Sequence, residues 1–174
     1  MHWAIAFCIL FMLFTIFLRL TWLNKVNVSE ILGNELSQRD INLSADELTT
    51  IAKKIRKPMW NWHVYIGYVL IGLYFIRLIL PFFGEMKFQF PQRQNTLKNQ
   101  FKQWTYLFFY ILLAASLTTG FLIVNGPVEW KKSLEGIHEL SLYYILLFIV
   151  IHFSGILMAE YSSEKGIISR IIGK

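Results

Sequence analysis

Cysteine is almost missing from this chain: Cys8 is the only one in 174 residues. Disulfide scaffolding and thiolate metal centres are therefore excluded, and a lone thiol inside an apolar run is expected to act as a small hydrophobe. Internal repeats and low-complexity tracts are also lacking. The first apolar run has no basic segment before it and no small-residue cleavage site after it, so it reads as a retained helix rather than a secretory signal. Basic residues outnumber acidic ones, 17 to 11, but they are spread over segments flanking apolar runs. That distribution argues against a nucleic-acid partner.

What the chain does contain is apolar: 55% of residues are hydrophobic and 17% aromatic. Four runs, Trp3–Leu23, Trp62–Phe83, Trp104–Val124 and Leu140–Ala159, each approach the ~20 residues that a bilayer core requires. The last is taken from 138 to 159 when the histidine at its head is included. The expected fold is an all-α membrane protein, an up-and-down bundle of four transmembrane helices forming one domain over residues 1–174.

Four spans put both termini on one side, together with the loop Gly84–Gln103. That loop is short and nearly acid-free, with Lys87, Arg93, Lys98 and Lys102, and the tail adds Lys165, Arg170 and Lys174. This side is therefore expected to be cytoplasmic. The tail Ile167–Lys174 is expected to rest on that surface. On the opposite side, Asn24–Met59 is the one long connection. Within it, Ser44-Ala45-Asp46-Glu47 has the form of a capping box opening a helix over about 45–57, which must end before Pro58. Leu48, Ile51, Ala52 and Ile55 form its apolar stripe, with Lys53, Lys54, Arg56 and Lys57 around it. Such a helix should lie in the headgroup region, anchored by Trp60 and Trp62. It is either an ordinary surface helix or a positive collar that attracts an anionic reactant.

The four histidines all fall at the spans. His2 heads the first, His63 the second and His138 the fourth, while His152 lies within the fourth. Polar side chains at membrane depth are costly and usually functional. His138 and His152 are 14 residues apart, which on one continuous helix is nearly four turns, so both imidazoles would share a face about 21 Å apart. Because helix direction alternates, depth pairs His63 with His138, and His2 with His152. Two imidazoles per depth are too few for zinc, whereas haem iron needs only axial ligands. Arg77, 14 residues after His63, and Arg19 near the end of the first span are candidate partners for haem propionates. Snorkelling from the helix ends is the other reading of both. Gly67, Gly120 and Gly155 would let a flat macrocycle approach the backbone, although glycine is also common where membrane helices touch. Interhelical hydrogen bonding is the competing account of the histidines.

These residues resemble the bacterial cytochrome b561 family, related to the cytochrome b subunits of nickel-iron hydrogenases and formate dehydrogenases. The resemblance is carried by His2-Trp3, His63, His138-Glu139 and His152, and by a third span without histidine. It covers essentially the whole chain. In that family several residues usually precede the first histidine, whereas only Met1 does here, so either the first helix sits deep or the chain starts upstream. The resemblance implies a multi-pass protein of the bacterial inner membrane with two b haems. It would pass electrons between the quinone pool (ubiquinone or menaquinone) and a redox partner or small reductant at the outer face, such as superoxide. An anchoring subunit of a larger hydrogenase or dehydrogenase complex is the first alternative. A haem-free scaffold or transporter is the second.

Overall fold

The computed structural model describes residues 1–84, 97–162 and 166. Among them every regular element is helical. Inside a bilayer no water is available to satisfy backbone groups, and a helix satisfies them within its own segment. Four stretches are long and apolar enough to cross a membrane: His2–Leu20, Ala45–Phe83, Asn99–Asn125 and Val128–Tyr161. The all-α, four-span membrane architecture expected from the sequence is the one observed.

The chain divides into two compact units, Met1–Lys87 and Phe88–Lys174. The first unit contains α1 (His2–Leu20), α2 (Lys25–Ser37), α3 (Ala45–Ile55) and α4 (Lys57–Ile79), with a 3-10 turn over Leu80–Phe83. α1 packs against α4. It buries Ile9 and Thr15 while leaving Phe7, Leu10, Phe14 and Phe17 exposed. A helix that hides one face and leaves large apolar groups open on the other is suited to a lipid surround.

The connection between α1 and α4 holds two helices, one more than the capping-box pattern predicts. The Asn24 side chain accepts the Val26 N–H at 2.9 Å and so starts α2, which packs on α3. The capping box of α3 is present: the Glu47 N–H donates to Ser44 Oγ, and the Ser44 N–H donates to Glu47 Oε2. α3 ends at Ile55, and only Arg56 separates it from α4, whose first turn accepts Pro58 because an N–H there has no helical partner to lose. Part of the α3 stripe faces protein rather than headgroups, since Ala52 is fully buried. The two expected tryptophan anchors also separate: Trp62 is exposed, while Trp60 turns towards His63.

The second unit contains α5 (Leu97–Asn125), α6 (Val128–Glu139) and α7 (Ser141–Ser162). Gly126 makes the turn after α5. Its N–H bonds the Leu122 carbonyl at 2.8 Å, and a Cβ there would lie 2.5 Å from that same oxygen. Pro127 follows as the N-cap of α6, and α6 packs back along α5.

One expectation is corrected here. The region from 138 to 159 is not a single helix bearing both histidines, because α6 ends at Glu139 and α7 begins at Ser141. The Leu140 N–H bonds the Ile137 carbonyl, and the Tyr143 N–H bonds the Leu140 carbonyl. Both bonds reach back three residues instead of four, which tightens the chain locally and interrupts the helical register. The basic residues Lys87, Arg93, Lys165, Arg170 and Lys174 and the tail Ile167–Lys174 lie outside the described residues.

Candidate functional site

In the first unit the site gathers around His63, in the second turn of α4 and 8% exposed. Its Nδ1 lies 2.6 Å from the hydroxyl of Thr15 on α1, itself 2% exposed. Thr15 has a single hydroxyl proton and donates it to the Met12 carbonyl at 2.7 Å. Towards His63 the hydroxyl can therefore only accept, so Nδ1 carries the proton and donates. In the neutral ring the lone pair is then on Nε2.

Trp60, one turn earlier on α4, meets the His63 ring edge-on with centroids 5.2 Å apart. The Arg19 guanidinium sits 5.3 Å from the centre of the Trp60 ring, a cation–π distance. Arg56 lies near enough for its charge to oppose that of Arg19. The structure thus brings Arg19 beside the surroundings of His63. Arg77 is half-buried in the last turn of α4. His63 and Arg77 share one uninterrupted helix, so their 14-residue spacing amounts to about 21 Å along its axis. His2 is exposed at the start of α1, its ring edge-on to Trp3 at 5.7 Å.

In the second unit α5 is the template for both histidines. His138, in the last turn of α6, places Nδ1 3.0 Å from the Ser116 carbonyl and 3.1 Å from the Thr119 hydroxyl. Thr119 directs its own proton to the Ala115 and Ser116 carbonyls. Both neighbours of Nδ1 are therefore acceptors, and His138 too holds its proton on Nδ1 with the lone pair on Nε2. The ring lies so close to α5 that a Cβ at Gly120 would be 2.9 Å from His138 Cε1. Of the three glycines marked in the sequence, Gly120 does admit a flat ring, and that ring is the imidazole itself. A Cβ at Gly67 would meet only ordinary contact with Met12, and one at Gly155 would meet nothing within 4 Å.

His152 on α7 is half-buried, with Nδ1 3.1 Å from the Tyr106 hydroxyl. Its ring is nearly parallel to that of Phe148, which stacks in turn on Phe109 with centroids 3.7 Å apart. Tyr144 completes this face by donating to Ser116 Oγ at 2.9 Å. His138 is held at Ser116 and His152 at Tyr106, ten positions apart on α5, or about 15 Å along its axis. The broken helix thus still delivers two imidazoles at different depths. Among the described residues no group of three or more His, Cys, Asp or Glu could hold a bare metal ion.

The model of one protein family, prokaryotic cytochrome b561, matches residues 1–174, the whole chain. The chain belongs to that family. No curated protein and no solved structure matches it. A member of the cytochrome b561 family with four apolar helices is an integral membrane cytochrome b of electron transfer, and the family implies that it binds haem b. The residues fit that group. Haem iron takes axial nitrogen ligands, and a ligating histidine normally donates its second ring N–H to an acceptor. His63 and His138 are set in that tautomer by their surroundings.

The histidines stand out in the sequence, but what holds them does not: Thr15, Tyr106, Ser116 and Thr119. A signal was present in Ser116-Leu117-Thr118-Thr119-Gly120, a polar cluster in the one span that has no histidine.

Proposed function

We propose that this cytochrome b carries two b haems within one 174-residue functional domain. His63 and His138 would be the axial ligands of the outer haem, and His2 and His152 those of the inner. The pairing rests on the order and direction of the spans in the sequence. The observation that most supports ligation is the protonation pattern at His63 and His138, each donating Nδ1–H to an acceptor as a metal-ligating histidine normally does. Bound haem would supply a one-electron carrier, held by His63, His138, His2 and His152.

The protein's own residues then orient and balance charge. Thr15, Ser116 and Thr119 fix the planes of two imidazoles. Arg19, with Arg56 nearby, offers positive charge to a propionate beside His63, and Arg77 offers it at the other end of α4. Electrons would pass between an outer-face partner or superoxide and membrane quinone, ubiquinone or menaquinone, with both termini cytoplasmic. The exposed cations Lys53, Lys54 and Lys57 favour an anionic reactant on the outer side. The alternative role, as the haem-bearing anchor of a larger oxidoreductase complex, would use the same ligands.

Haem quantitation on the purified protein tests this reading, with each histidine replaced by alanine in turn. The expected result is two haems per chain, and one fewer for each replacement. A single haem in the unaltered protein, or full haem content in all four variants, would overturn it.

A further inference from the structure

Thr15 has no place in the ligand set, yet it is among the most buried polar residues described, at 2% exposure. It stands on α1 and bonds a histidine on α4, so the contact crosses between two helices. Its hydroxyl joins two hydrogen bonds in series. The His63 Nδ1–H donates to Thr15 Oγ1 across 2.6 Å, and Thr15 Oγ1 donates to the Met12 carbonyl across 2.7 Å. Each bond polarises the other, because a hydroxyl that gives away its proton becomes a better acceptor.

We propose that Thr15 is a positioning residue that holds His63 as an electron-rich axial ligand and thereby lowers the reduction potential of the haem it binds. This rests on the reading of His63 as an iron ligand. An acceptor at Nδ1–H raises the basicity of the imidazole, and a more electron-rich Nε2 would stabilise ferric over ferrous iron. The same bond fixes which nitrogen faces the metal and the rotation of the ring.

His138 provides an internal comparison. Its Nδ1–H meets a hydroxyl, Thr119, and also the Ser116 backbone carbonyl. No side-chain substitution removes a backbone carbonyl. Loss of the Thr119 hydroxyl should therefore leave His138 with an acceptor.

The test is a potentiometric titration of the full-length, haem-loaded protein in detergent, with low-spin ferric EPR of the same samples. Thr15→Val keeps the shape of the side chain and removes its hydroxyl. It should raise the midpoint potential of one haem, leave the other unchanged and alter one ferric EPR signal. Thr15→Ser should restore both readouts, and Thr119→Val should produce a smaller shift. If Thr15→Val fails to accumulate, Thr15→Ala carries the same expectation. Suppose His63→Ala loses a haem, yet the hydroxyl-free variants keep both potentials: the role of Thr15 is then overturned while ligation stands. If His63→Ala itself keeps both haems and both potentials, the ligation reading falls and this proposal falls with it.

Discussion

Gly120 on α5 has no side chain where the His138 ring comes to rest, and a Cβ there would stand 2.9 Å from Cε1. The ring cannot swing aside without lengthening its contacts to the Ser116 carbonyl and the Thr119 hydroxyl. Gly120→Ala should therefore displace His138 and cost about 1–3 kcal/mol of stability as an overpacked contact. Haem quantitation should show loss or weakened retention of one haem, and full retention with an unchanged melting temperature would contradict the close fit.

Ser116 separates a backbone role from a side-chain role. Its carbonyl faces His138, while its hydroxyl accepts from Tyr144. Ser116→Ala should remove the second bond at a cost of about 1 kcal/mol and leave the first in place. Thermal unfolding should record the loss, with haem content unchanged. Loss of haem would show that the hydroxyl matters to the ligand as well.

Tyr106 touches the other histidine of this unit. Tyr106→Phe removes the hydroxyl 3.1 Å from His152 Nδ1 but preserves the edge contact with Phe148. On the proposed pairing of His2 with His152, the expected outcome is a change in the EPR signal and potential of the inner haem alone. A change confined to the outer haem would contradict the depth assignment of His152.

Arg19 stacks over Trp60 beside His63. Arg19→Gln should lose a cation–π contact of about 0.5–2 kcal/mol and, in the proposed role of Arg19 as a propionate partner, weaken binding of the haem at His63. Arg19→Lys keeps charge without the planar fork, so it should recover part of the haem affinity. Equal haem loss rates on apomyoglobin challenge, for wild type and Arg19→Gln, would limit Arg19 to packing.

For the proposed reaction with superoxide, replacing Lys53, Lys54 and Lys57 with glutamine should slow reduction and flatten its dependence on ionic strength. Stopped-flow rates at low and high salt check this, since steering by exposed charge is screened within about 10 Å at 0.1 M salt. A large rate loss that persists at high salt would point instead to a damaged binding surface.

Much of this protein follows from local pattern. Apolar run length predicted four spans, because every spanning segment must bury about 20 residues in hydrocarbon and satisfy its backbone internally. The Ser44–Glu47 capping box was readable because its partners lie three residues apart. The histidines were visible because ionisable groups are rare in such runs. α2 was overlooked, as its start depends on one Asn24 cap and its face is covered by α3.

The break at Leu140 was hidden for a different reason. No proline or glycine marks it, and two bonds that reach back three residues create it while α6 and α7 both lie along α5. Tertiary structure also decided which nitrogen is protonated in His63 and His138. Thr15 lies 48 positions from His63, and Ser116 lies 22 from His138. Spacing along one helix carries no information about a hydroxyl or carbonyl on another. The sequence alone determined that the imidazoles fall at the apolar spans. Packing of α1 on α4, and of α6 on α5, determined which acceptors His63 and His138 meet, and so which ring nitrogen carries the proton.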